Sequence, residues 1–124
     1  MWIALGLGGM ALDARSRGRW RRALLAVVGT HAANTAIKGV IRRARPTLDD
    51  LPALVATPTA LSFPSAHASS SFAAARAYSA LLPPAPLYAT ATAMALSRVY
   101  LGAHYPTDIA AGAVLGTVAG SAGR

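Results

Sequence analysis

Ser97-Arg98-Val99-Tyr100-Leu101-Gly102-Ala103-His104-Tyr105-Pro106-Thr107-Asp108 is the stretch on which the reading of this chain turns. An apolar run ends at Gly102, Tyr105-Pro106-Thr107 breaks the backbone, and a second apolar run begins at Ile109. The segment therefore joins two helices, with Thr107 offering the side chain of an N-cap. His104 and Asp108 are four apart, the spacing at which a carboxylate in a first helical turn reaches back to a ring nitrogen on the same face. A carboxylate accepting from one ring N–H fixes the tautomer and leaves the lone pair of the other nitrogen available as a nucleophile. Arg98 adds a planar fork of donors suited to phosphate or carboxylate. Taken alone, the stretch is equally compatible with a plain helix, turn and helix in which Arg98 pairs with Asp108.

Outward from this segment, composition points to a membrane. Of 124 residues, 54% are hydrophobic and only 13% charged, and mean hydropathy is +0.42, which is unusual for a soluble domain of this size. The expected fold is all-α: a membrane-embedded bundle of four transmembrane helices plus a short N-terminal helix, forming one domain over residues 1–124. The net charge of +8 is concentrated, with nine of the twelve basic residues between Arg15 and Arg45. The remainder is Ala, Leu, Val and Gly with few aromatics, so a nucleic-acid surface is excluded as a class. Cysteine is absent and the four Asp are scattered, which leaves no thiolate site and too few hard ligands for a dedicated metal. No metal and no cofactor are expected.

In chain order, Met1–Leu12 is apolar but shorter than a span and lacks the basic start of a signal peptide, so it reads as the tail of a longer helix in a chain that is a fragment or begins at a late Met. Arg15, Arg17, Arg19, Arg21 and Arg22 form a short basic loop that the positive-inside tendency puts in the cytoplasm. Ala23–Ile37 is the first crossing, with His31, which has no acidic neighbour in sequence, as a packed or hydrogen-bonded interior residue rather than a ligand, and it ends at Lys38, Arg42, Arg43 and Arg45. That second basic cluster lies on the outer side, an exception to the charge rule that chemistry would explain. Thr47–Phe63 reads as an extramembrane loop. Ser65–Leu82 and Leu87–Gly102 are the next helices, separated by Pro83-Pro84-Ala85-Pro86, and Ile109–Ala122 is the last. Gly112, Gly116 and Gly120 recur every four residues, a stripe that lets a neighbouring helix of the same chain approach closely.

Counting crossings from a cytoplasmic Arg15–Arg22 brings Lys38–Arg45, Pro64–His67 and Arg98–His104 out on one face. Together they supply Lys38, Arg45 and Arg98 as cations, Ser65 and the backbone N–H groups after it as neutral donors, and two imidazoles with one carboxylate. Phosphoryl transfer needs such a set: positioned cations for the charge on the equatorial oxygens, an in-line nucleophile, and an acid on the leaving oxygen.

Lys38-x6-Arg45-Pro46, Pro64-Ser65-Ala66-His67 and Ser97-Arg98-x5-His104-x3-Asp108 resemble, in order and spacing, the three signature motifs of the type 2 phosphatidic acid phosphatase family. The resemblance spans Lys38–Asp108 and implies a metal-independent membrane lipid phosphatase with a phosphohistidine intermediate and a core shared with the vanadium haloperoxidases. It implies His104 as nucleophile, Asp108 as its orienter, and His67 as the general acid that then activates water. Lys38, Arg45, Ser65, Ala66 and Arg98 would hold the phosphate. Two departures stand out. Ala66 occupies a position where the family more often has Gly, which matters only if positive φ is required there. The chain also offers four helices and a stub where family members usually have six, as expected of an N-terminally truncated member.

The implied reaction is hydrolysis of a phosphate monoester or diphosphate of a membrane lipid. Undecaprenyl or decaprenyl diphosphate, phosphatidic acid, phosphatidylglycerol phosphate and a decaprenyl phosphosugar phosphate all fit. Ala- and Arg-rich usage suggests a GC-rich bacterium, which favours a polyprenyl substrate, with the site on the extracytoplasmic side of the inner membrane. The alternatives are a vanadate-dependent haloperoxidase, and an inactive membrane protein whose basic loops bind anionic headgroups.

Overall fold

The structure, a computed structural model, describes residues 1–47 and 54–124. Five helices follow in order: α1 (Trp2–Leu12), α2 (Arg17–Ile41), α3 (Ala66–Tyr78), α4 (Pro84–Tyr100) and α5 (Pro106–Ser121). The only β-structure among the described residues is an isolated antiparallel bridge between Ala44 and Leu61. The all-helical expectation is met, with shifted boundaries. α2 begins at Arg17 rather than Ala23, because arginine is a good helix former and Asp13 ties down the preceding turn by accepting from the Ser16 N–H at 3.1 Å. α3 stops at Tyr78 rather than Leu82, its last carbonyl being taken by the turn N–H groups of Leu81 and Leu82 ahead of Pro83. The N-cap of α5 is Tyr105, two residues before the expected Thr107. Asp49, Asp50 and Pro52 of the expected 47–63 loop lie outside the described residues.

Lengths bear on the membrane. α2, with 25 residues, is the one described helix long and apolar enough to cross a bilayer. α3, α4 and α5 have 13, 17 and 16 residues, so length alone does not mark them as the full spans that the sequence suggests.

α3 is the axis of the bundle, packed by α2, α4 and α5. Its buried face is built from Ala68, Ser69, Ser71, Ala73, Ala74, Ala75, Ala77 and Tyr78. Small residues there let backbones approach, and α5 answers with its glycine stripe. A Cβ on Gly112 would come within 2.7 Å of the Ser65 carbonyl oxygen, and one on Gly120 within 2.5 Å of that of Ala73. At Gly116 it would overlap the Ser69 carbonyl. The stripe is thus a contact within the chain, as its spacing suggests. Away from the site the core closes on Trp20 and Tyr78, whose rings are 5.5 Å apart and tilted. Leu25, Val28, Leu96, Val114 and Val118 point outward and are exposed. Along α5, therefore, the valines sit outside and the glycines inside.

Candidate active site

The close approach of α3 and α5 carries the N-termini of both helices to one end of the bundle, where the Ser65 N–H donates to the Asp108 carbonyl at 3.0 Å. α2 and α4 end at the same level, so Lys38, Arg45, Ser65, Ala66, His67, Arg98, His104 and Asp108 gather around one region. Lys38, in the last turn of α2, donates to the Leu61 carbonyl at 3.2 Å. Ser65 is the N-cap of α3, and its hydroxyl accepts from the Ala68 N–H at 3.3 Å. Ala66 opens the helix, and the only non-glycine residue with positive φ among those described is Arg42. Alanine at 66 therefore costs nothing in backbone strain. The Ala66 and His67 N–H groups remain as anion donors, while that of Ala68 is taken by the Ser65 hydroxyl.

His104 is delivered by a turn in which Gly102 has φ of 68°, and it is buried, with 4% of its surface exposed. Its Nδ1 lies 2.8 Å from the Ser62 carbonyl. A carbonyl can only accept, so Nδ1 carries the proton and Nε2 holds the lone pair. Nε2 faces the Arg45 Nη1 at 3.1 Å. Arg45 is itself held by the carbonyls of Thr59 and Ala103, both at 2.8 Å. Burial, followed by the neighbouring Arg45 charge, pushes the His104 imidazolium down to about 4. At neutral pH the imidazole is therefore uncharged.

Asp108 does not make the expected hydrogen bond to His104. Its Oδ2 is 3.7 Å from Nδ1 and accepts instead from the Tyr105 N–H at 2.8 Å, while Oδ1 accepts from Arg43 at 2.8 Å. The Ser62 carbonyl has taken the orienting position, and the fully buried carboxylate is satisfied by a backbone N–H and a guanidinium. Arg43, which the sequence offers only as one of a basic cluster, also donates to the Thr107 hydroxyl at 2.8 Å and lies over the rings of Phe63 and Tyr105 at 5.4 and 5.3 Å. Arg98 pairs with no carboxylate among the described residues, and its Nε donates to the Ser97 hydroxyl at 3.3 Å.

His67 sits in the first turn of α3, within electrostatic reach of Arg98, Arg45 and Lys38. His104 is likewise within reach of Arg45 and Lys38. Two imidazoles thus share one set of cations. His31, expected as a packed interior residue, is exposed and lines a cavity beside His67. The residue buried on that face of α2 is Asn34, whose amide donates to the Pro64 carbonyl at 3.2 Å and the Ser69 hydroxyl at 3.1 Å. It pins α2 to the start of α3.

A family model for the PAP2 superfamily matches residues 19–123. The chain belongs to that superfamily. Among curated proteins it is similar to the decaprenylphosphoryl-5-phosphoribose phosphatase of Mycolicibacterium smegmatis, with 43% identity over 120 residues, covering 90% of this chain and 62% of that protein. The proteins of the same name from two Mycobacterium tuberculosis strains, CDC 1551 / Oshkosh and H37Rv, are each 41% identical over 124 residues, covering 97% of this chain and 68% of theirs. The chain thus spans about three-fifths of the length of its Mycolicibacterium relative. No solved structure matches it.

Proposed function

We propose that this chain carries the catalytic core of a membrane lipid-phosphate phosphatase, and that its substrate is a phosphate monoester on a polyprenyl-linked sugar. The observation that carries the reading is the pinned tautomer of His104, whose Nδ1–H is held by Ser62 so that Nε2 presents its lone pair beside Arg45. In the first step Nε2 attacks phosphorus in line, the bond to the leaving oxygen breaks, and protonated His67 gives that oxygen its proton. In the second, neutral His67 takes a proton from water, whose oxygen attacks phosphorus and breaks the P–N bond, which releases phosphate and restores both imidazoles. Lys38, Arg45, Arg98, the Ser65 hydroxyl and the N–H groups of residues 66 and 67 hold the three equatorial oxygens. Asp108 acts one step removed, bracing Arg43 and the Tyr105 backbone around the histidine. No step needs a metal.

The substrate class is supported by the relatives, whose names specify a phosphatase acting on decaprenylphosphoryl-5-phosphoribose. Those names also favour hydrolysis over the haloperoxidase alternative. A bilayer setting for α2 to α5 is supported by the outward Leu and Val and inward Ala, Gly and Ser. With Arg15–Arg22 in the cytoplasm, α2 brings the site to the extracytoplasmic face of the inner membrane.

The test is phosphate release by the purified full-length protein in detergent from polyprenylphosphoryl-ribose 5-phosphate, with phosphatidic acid and polyprenyl diphosphate alongside. Activity unaffected by EDTA, inhibited by vanadate and reduced about a thousandfold or more in His104→Ala is expected. Undiminished release by His104→Ala would overturn the reading.

A further inference from the structure

A cavity of about 310 Å³ opens beside His67, lined by His31, Ala66, His67, Ser70, Ser71 and Met94 together with the start of α1. It touches the proposed acid and none of His104, Lys38, Arg45 or Arg98. That asymmetry matters, because in an in-line displacement the nucleophile and the leaving oxygen lie on opposite sides of phosphorus. The group attached to the leaving oxygen must extend past the acid, and this cavity is the space on that side.

Its wall is mixed: Trp2, Ala66 and Met94 are apolar, and His31, Ser70 and Ser71 place a polar stripe among them. His31 lies on α2, seven residues before Lys38, or about 10 Å along the axis. Among the described residues neither its imidazole nor the Ser70 hydroxyl has a hydrogen-bond partner, whereas the neighbouring Ser71 hydroxyl accepts from Trp2 Nε1 at 2.9 Å. An ionisable side chain on an apolar helix is costly and faces a bundle interior or a ligand. His31 and Ser70 offer both donors and acceptors, the complement of a ring carrying several hydroxyls.

We infer that this cavity is the leaving-group subsite, that it takes a polyhydroxylated sugar in preference to a glycerolipid or a bare polyprenyl chain, and that His31 is the residue that reads it. The inference rests on the proposed role of His67 as acid. A site built to hydrogen-bond hydroxyls discriminates strongly against analogues lacking them, since its own polar groups are then left unpaired.

The experiment compares the full chain with His31→Ala, Ser70→Ala and His31→Gln on polyprenylphosphoryl-ribose 5-phosphate and on phosphatidic acid. His31→Ala should lower kcat/KM for the phosphosugar lipid about tenfold, the loss of one or two neutral hydrogen bonds. Phosphatidic acid, which presents no sugar, should change less than about twofold. His31→Gln, which keeps a donor and an acceptor, should recover part of the loss. Equal losses on both substrates, or none on either, would overturn the inference. If wild-type protein hydrolyses neither lipid, the proposed function fails and the subsite is judged by binding instead. Ribose 5-phosphate should then quench Trp2 emission saturably, with the signal absent in Trp2→Phe and weakened in His31→Ala, and unsaturable quenching would refute it.

Discussion

Gly116→Ala should damage both stability and catalysis, and Gly29→Ala should damage neither. The two glycines are both helical, and a methyl added at Gly29 meets nothing within 4 Å. There the exchange gains about 0.5–1 kcal/mol of helix propensity. At Gly116 the same methyl would overlap the Ser69 carbonyl and come within 2.9 Å of the Ala73 N–H nitrogen. Both neighbours are backbone atoms of α3, so relief requires the helices to separate by about an ångström. Overpacking of this kind costs about 1–3 kcal/mol, enough to cancel the propensity gain and leave a net loss of up to about 2.5 kcal/mol. Separation also lengthens the Ser65 N–H to Asp108 carbonyl bond, now 3.0 Å, which joins the two halves of the site. Thermal unfolding and phosphate release, measured for both variants in the same detergent, provide the assay. A Gly116→Ala protein that melts and turns over like Gly29→Ala would refute the packing argument and the claim that this seam assembles the site.

Further outcomes follow from the site itself. His104 titrates near 4 in the fold against an ordinary value of 6.5, so the unfolded chain binds the extra proton between those values. Stability should be full above about pH 6.5 and fall by about 3 kcal/mol as pH drops to about 4, a loss that His104→Gln removes in denaturation series. Arg43→Ala leaves the buried Asp108 carboxylate with one N–H partner and should cost about 3 kcal/mol. It also releases Oδ1 and removes a positive charge beside Asp108, so the carboxylate, whose Oδ2 stays 3.7 Å from His104, acts on the imidazole without a competing guanidinium; the acid limb of kcat/KM should move upward, whereas an unmoved limb would deny the coupling. Gly102→Ala, at φ of 68°, should cost about 1–2 kcal/mol by melting temperature and misplace His104.

The helix order, the break between α4 and α5 that carries His104 and the convergence of three motif segments were legible because they rest on residue type and spacing. Lys38, Arg45, Ser65 and His67 stand out as charged or capping residues at the ends of apolar runs. The partner of His104 did not stand out, because a carbonyl is common to every residue and Ser62 lies 42 positions away. Spacing favoured Asp108, and only the fold reveals that Arg43 and Tyr105 already occupy its oxygens. Arg43 itself was hidden in a run where Arg42, Arg43 and Arg45 look alike, and no local signal separates the one that folds back onto α5. His31 was read as interior because its acidic neighbours are absent, yet the same absence leaves it without a partner and facing a cavity. Gly112, Gly116 and Gly120 were the most faithful signal, since a repeat of bare backbone on one helix face has few physical uses other than close approach.

Attack by His104 Nε2 implies a phosphorus–nitrogen bond that exists only between the two steps. Rapid quench of the full-length protein with phosphate-labelled lipid substrate, followed by peptide mapping, looks for that bond directly. Acid-labile, base-stable label on Nε2 of His104, formed and lost at rates consistent with turnover and absent in His104→Ala, is the expected result. Turnover with no label on His104, or with label on His67 in its place, would contradict the assignment.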